Sequence, residues 1–121
     1  MPLVAAIVTA VIVHELGHWL VWRLLGKAPA RFVITLAGPG VYLPEAIRIR
    51  TPWTVRALAA AAGPLANALA AVALACAGDS YAAWIHAAFG GLNALPMAQG
   101  RAPSDGALLL ALAVSRGDHH I

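Results

Sequence analysis

Apolar residues run from Leu3 to Leu25, with His14, Glu15 and His18 set close together inside the run and Arg23 near its end. At about 1.5 Å of rise per helical residue, residues 3–25 cross the roughly 30 Å of a bilayer's hydrocarbon core. The pattern predicts a first membrane-spanning helix there. Residues 26–54 lose it and are polar, turn-rich and basic. A second apolar run, residues 55–77, predicts a second span, and its many Ala and Gly residues allow close helix approach. It follows Thr51-Pro52-Trp53, which reads as an N-cap, a proline at the first helical position and an interfacial aromatic anchor. Gly78-Asp79-Ser80 reads as a short turn on the far side. A third span is expected over residues 81–98, continued by residues 105–115 after a break at Gly90-Gly91, Asn93, Pro96, Gly100 and Pro103. Broken helices at membrane depth are tolerated only where they are buried or line a wet cavity. The tail, Ser115 to Ile121, then returns to the side of the basic loop.

Within that loop, Phe32 to Leu36 and Val41 to Leu43 flank Ala37-Gly38-Pro39-Gly40, which predicts a β-hairpin turning on its Gly and Pro residues. Ala46-Ile47-Arg48-Ile49-Arg50 alternates with period two and predicts a strand, both Ile on one face and both Arg on the other. Such a strand either lies at the interface with its Arg toward phosphates or offers an edge to an unwound substrate by β-augmentation. The expected fold is an all-α membrane protein, one domain over residues 1–121. It has a three-transmembrane-helix core, a small β-hairpin between spans one and two, and a broken third span.

Composition sharpens this picture. The 121 residues are 61% hydrophobic and 11% charged, with a mean hydropathy of +0.78, more apolar than a soluble domain of this size can hide. Arg23, Lys27, Arg31, Arg48, Arg50 and Arg56 supply six of the eight basic residues behind a formal charge of +3, and they border the spans. The positive-inside bias therefore puts the loop in the cytoplasm, and the chain is expected in a bacterial plasma membrane. The same layout argues against a nucleic-acid partner, which calls for a soluble scaffold with polar contact residues. No Lys or Arg precedes the first run and ionisable residues interrupt it, so it reads as a retained span rather than a signal peptide. The single Cys76 excludes an intrachain disulfide.

The chemistry sits in His14-Glu15-Leu16-Gly17-His18. Residues i and i+4 of a helix are offset by about 40° and about 6 Å of rise, so both imidazoles can reach one cation. Glu15, about 100° further round, can hold a water without being a ligand. Each ionisable group at bilayer depth costs on the order of 2.5 kcal/mol or more, so this cluster demands a compensating role. A catalytic zinc site takes three protein ligands and keeps a fourth position open. Asp105 is the best third ligand, since it adjoins the broken segment and Gly106 lets the backbone turn tightly beside it. Asp105 also fits a helix N-cap, a role Ser104 can take instead. Asp79 belongs to the opposite face, Glu45 to the loop and Asp118 to the tail. Asn67, within Gly63-Pro64-Leu65-Ala66-Asn67, either hydrogen-bonds across a helix interface or acts in the site. Helical rise puts His14 and Asn93 roughly 17 and 18 Å in from the same face, so they can meet. His86 is expected to be interfacial or packed, and His119 and His120 belong to the tail.

Three motifs in order give the chain a family likeness. His14-Glu15-Leu16-Gly17-His18, Gly63-Pro64-Leu65-Ala66-Asn67, and Asn93-Ala94-Leu95-Pro96 followed by Asp105-Gly106 resemble the site-2 proteases, intramembrane zinc metalloproteases. The resemblance implies His14, His18 and Asp105 as Zn2+ ligands, Glu15 as general base and then acid, and Asn93 near the substrate backbone or oxyanion. It implies a metalloendopeptidase of regulated intramembrane proteolysis, cutting membrane-protein substrates in or near their transmembrane segments. The lipid bilayer is its medium, with a regulatory membrane partner or a second copy as further partners. Met97 to Ser104 makes a longer connection than the family's tight Asn-Pro-Asp-Gly arrangement, and no flanking span or regulatory domain is expected beyond the minimal core. Two rivals remain: a catalytically inactive membrane homologue acting as a metal-binding or adaptor protein, and a soluble zinc protease with a very apolar core.

Overall fold

A computed structural model describes residues 1–35, 38–95, 98–99 and 102–118 of the chain. Helix α1 (Leu3–Leu24) ends where Lys27 adopts a left-handed φ of 49° and the Ala28 amide bonds back to the Trp22 carbonyl at 3.1 Å. Helix α3 (Trp53–Cys76) starts directly after Pro52, which with ψ 145° is its N-cap rather than its first helical residue, and Thr51 ends the preceding helical turn instead of capping α3. With 22 and 24 residues, these two helices are long and apolar enough to span a membrane. Only 22% of each apolar window is buried, whereas the core helix of a soluble protein would be mostly covered. Leu3, Val4, Ile7, Val8 and Ile12 on α1, and Leu65, Leu69 and Val72 on α3, all face outward. Ala6 and Ala10 of α1 and Ala59 and Ala60 of α3 are buried, and the two helices approach closely at Gly17, where a β-carbon would strike the Ala62 carbonyl.

Gly78, at φ 87°, turns the chain into helix α4 (Ser80–Ala94), whose first turn is capped by Asp79 accepting from the Ala82 amide at 3.1 Å. This helix has 15 residues, about 22 Å of rise, and the last helix, α5 (Asp105–Asp118), has 14. A third span is therefore not shown. The helix expected over residues 81–98 stops at Ala94, where Leu95 turns extended, and α5 begins as a separate element. Helix α5 also carries on through the segment expected to leave as a tail from Ser115, as far as Asp118. His119 and His120 lie outside the described residues.

The loop after α1 holds the expected hairpin with its strands shifted. Strand β1 (Arg31–Thr35) pairs antiparallel with β2 (Gly38–Tyr42), Thr35 opposite Gly38 and Phe32 opposite Val41. Gly38, Pro39 and Gly40 thus belong to a strand rather than to the turn; Pro39 is tolerated because the sheet has two strands and each is an edge. Leu36 and Ala37 lie outside the described residues. Trp19 fastens the hairpin to α1: its indole N–H donates to the Ala30 carbonyl at 3.0 Å and its ring stacks on Phe32. Ala28, Ala30 and Leu43 form the buried cluster beneath.

Residues 46–50 correct the period-two reading. They lie in a short helix, α2 (Glu45–Arg50), not a strand. Pro44 precedes its first turn, Glu45 sits at its N-terminus and Arg48 and Arg50 at its C-terminus, and the Thr51 hydroxyl bonds the Ile47 carbonyl at 2.8 Å. These terminal charges suit the helix dipole, and six residues are too few for an alternation of Ile and Arg to outweigh them. Between α4 and α5, β3 (Ala98–Gln99) pairs with β4 (Ala102–Pro103). This miniature hairpin takes up the long connection before Asp105. Pro96, Met97, Gly100 and Arg101 lie outside the described residues.

Candidate metal centre

His14 and His18 stand one turn apart on the face of α1 that meets α3. His14 is 3% exposed and packs edge-on against Phe89 of α4, ring centroids 5.2 Å apart. Each imidazole is held from behind through Nδ1. His18 Nδ1 lies 2.6 Å from the Ala59 carbonyl, which can only accept, so His18 carries a proton on Nδ1. The same logic fixes His14 in two steps. Asn67 Nδ2 lies 3.0 Å from the Ala10 carbonyl, so that end of the amide is the donor and Oδ1 is the end facing His14 Nδ1 at 2.8 Å. His14 therefore donates from Nδ1 as well. Both Nε2 atoms turn toward one point, 3.1 Å apart.

Asp105 closes the group from α5. Its Oδ2 lies 2.7 Å from His14 Nε2 and its Oδ1 3.3 Å from His18 Nε2. Ser104 caps the helix, its hydroxyl accepting from the Ala107 amide at 3.2 Å and donating to the Leu95 carbonyl, which leaves the Asp105 carboxylate free for the histidines. The choice left open between ligand and cap thus falls to Ser104 for the cap. Gly106 serves the site differently from expected. Its φ is not positive; instead a β-carbon there would collide with the Ala94 carbonyl, so Gly106 lets α5 start against the end of α4.

The ligand atoms of His14, His18 and Asp105 lie within 4.8 Å of one another, and the group could hold a metal ion. Donor chemistry supports that fit. With both protons on Nδ1 and the carboxylate ionised, three lone-pair atoms converge with no hydrogen among them. Asp105 Oδ2 is accordingly buried with no hydrogen-bond donor among the described residues, despite its closeness to His14 Nε2. A single proton would satisfy one pair of these atoms; a metal ion satisfies all three. Gly63 of α3 keeps the adjacent space clear, since a β-carbon would stand 2.5 Å from His18 Nε2 and 2.7 Å from His14 Nε2.

A cavity of about 580 Å3 opens onto the centre. His14, His18 and Asp105 line it together with Glu15, Asn93 and Phe89, and Pro39 and Val41 of β2 form part of its far wall. Glu15 and Asn93 thus share the cavity with the triad without belonging to it, and the Asn93 amide donates to the Phe89 carbonyl of its own helix at 2.9 Å. Asn67 does not line the cavity. It is fully buried behind His14, which assigns it to holding the ring rather than to meeting a substrate. Of the remaining acids and histidines, Asp79 caps α4, Glu45 lies exposed 4.0 Å from Arg48, and His86 is buried in the bundle. Comparison with protein-family models, curated proteins and solved structures finds no match for this chain.

Proposed function

We propose that the protein is an intramembrane zinc metalloendopeptidase of the site-2 protease type, hydrolysing peptide bonds in or near the transmembrane segments of other membrane proteins. The observation that supports this reading most is the convergence of His14 Nε2, His18 Nε2 and the Asp105 carboxylate beside Glu15, in a cavity between apolar helices. Zinc held by those three residues would supply a Lewis acid that polarises a carbonyl and acidifies water. Glu15 acts as the base: its carboxylate takes a proton from the attacking water and passes it to the amine nitrogen as the C–N bond breaks, leaving a carboxylate and an amine. Asn93, on the cavity wall, is positioned for the substrate backbone. The substrate has to enter unwound, because a helix spends its carbonyls on its own hydrogen bonds. Strand β2 lines the cavity and has one strand neighbour among the described residues, so its other side offers an edge for an extended peptide. In this reading α4 and α5 together complete a third, interrupted crossing, and the basic loop faces the cytoplasm.

Zinc content and cleavage of a membrane-embedded model substrate, measured together on wild type, Glu15→Gln and Asp105→Ala, test the proposal. Glu15→Gln should keep its zinc and lose about 100-fold or more in rate, as expected for removal of a general base. Asp105→Ala should lose much of both. Unaltered cleavage by Glu15→Gln would refute the role of Glu15, and zinc-loaded wild type that cleaves nothing would favour the inactive adaptor.

A further inference from the structure

Asn67 has a third neighbour besides the Ala10 carbonyl and His14, and that neighbour is a histidine outside the metal centre. His86 of α4 is 2% exposed, does not line the cavity, and lies with Nδ1 3.4 Å from Asn67 Nδ2 and Nε2 3.3 Å from the Thr9 hydroxyl. Each bond has a definable direction. Thr9 donates to the Ala5 carbonyl at 2.8 Å, with the Ala6 carbonyl at 3.0 Å, so its oxygen is left to accept from His86 Nε2–H. His86 then carries no proton on Nδ1, which accepts from Asn67. The second Asn67 proton goes to Ala10, and Oδ1 accepts from His14. Every donor in the row Thr9, His86, Asn67, His14 points the same way along it, toward the Ala5 carbonyl.

We propose that His86 is a positioning residue for the metal centre, acting through Asn67 to hold His14 in the tautomer whose Nε2 is free for a cation. Turned over, the Asn67 amide would set Oδ1 against two acceptors, His86 Nδ1 and the Ala10 carbonyl, and its NH2 group against His14 Nδ1. His14 would then have to move its proton to Nε2, facing Asp105 and His18, where it blocks a metal. Ala10 alone opposes that flip if His86 is lost. The proposal rests on the metal reading of the triad and not on hydrolysis.

Nitrogen-15 imidazole spectra of the metal-free protein in detergent micelles read the tautomers directly. His86 should carry its proton on Nε2 and His14 on Nδ1. A proton on Nδ1 of His86, or on Nε2 of His14, overturns the proposal. Cobalt(II) is the metal probe. Loss of a direct outer-shell partner costs about 10- to 100-fold in metal affinity, so loss of this more remote one by His86→Phe, which keeps a ring of similar size, should cost about three- to tenfold and alter the cobalt absorption bands. His86→Gln, which restores an acceptor and a donor, should recover both. Wild-type affinity and spectrum in His86→Phe would overturn the proposal. If that variant loses its helicity, the wild-type tautomer spectrum decides alone. A wild type that takes up no cobalt refutes the metal reading beneath it, while failure of the hydrolase reading shows separately, as absent cleavage by metal-loaded protein.

Discussion

Replacing Gly63 by Ala should severely weaken metal binding while leaving the helices folded. The added methyl would stand 2.5 Å from His18 Nε2 and 2.7 Å from His14 Nε2, about 0.7–0.9 Å inside ordinary van der Waals contact. Neither ring can retreat freely, because each is bonded from behind, His14 to Asn67 at 2.8 Å and His18 to the Ala59 carbonyl at 2.6 Å. Metal–ligand distances are held to about 0.2 Å, so a displacement of this size takes at least one imidazole out of reach. Zinc affinity should fall by about 100-fold or more, beyond the range seen when only an outer-shell partner is lost. Competition against a chromophoric chelator in micelles reads the affinity, and circular dichroism reads the fold. Gly91→Ala is the control, a helical glycine of α4 with nothing within 4 Å of its added methyl. Alanine normally favours a helix over glycine by about 0.5–1 kcal/mol, so loss of metal binding without loss of helicity would run against the trend of the substitution itself. Wild-type zinc affinity in Gly63→Ala would refute the convergence of the two Nε2 atoms on a metal.

Three further outcomes test the fold. Asp79→Ala should lower the thermal midpoint, and Asp79→Asn, which keeps a capping oxygen but loses the charge, should lower it less. The Ala82 amide, helped by the N-terminal ammonium 3.0 Å away, holds the Asp79 carboxyl below the usual carboxylate range. A carboxyl lowered by folding stabilises the fold above the ordinary Asp range and loses that contribution as pH falls through its lowered value, so the advantage of wild type over Asp79→Ala should shrink in acid. Gly78→Ala should destabilise by about 1 kcal/mol in the same melts, for its φ of 87° disfavours a side chain although the surrounding space is open. In detergent phase partitioning the chain should enter the detergent phase; recovery from the aqueous phase without detergent would refute the membrane reading.

The two long helices and the histidine pair were legible in the sequence because each is a local periodicity: an apolar run, and an i, i+4 spacing. Asp105 was legible by elimination among few acids, and the structure brings its carboxylate to the histidines across the long connection. The alternation at residues 46–50 misled because period two over five residues competes with stronger punctuation, Pro44 before and Thr51-Pro52 after, which bounds a helical turn. Gly38, Pro39 and Gly40 misled in the opposite direction, as turn-forming residues that the two-stranded sheet carries in an edge strand. Gly63 and Gly106 were invisible as site residues, because what they do is leave room for atoms from other elements. The length of α4 was also hidden, since an apolar segment does not reveal where its helix stops.

The polar atoms inside the bundle show where function lies better than any motif does. Asn67 satisfies His14, Ala10 and His86, Thr9 satisfies His86, and Ala59 satisfies His18, so the buried donors and acceptors of three helices answer one another. Among the described residues, two buried side-chain atoms stay without a hydrogen-bond partner, Arg56 Nε and Asp105 Oδ2. The second stands where two imidazole lone pairs also point, so three acceptors share one small space with no donor between them. A fold does not gain from placing unsatisfied acceptors together in an apolar surround, since each costs about 1–3 kcal/mol. Apolar residues of similar size would pack α1, α3 and α5 more stably. A cation in that space would answer all three acceptors at once, and the hydrogen bonds behind the rings leave both Nε2 atoms bare to receive it.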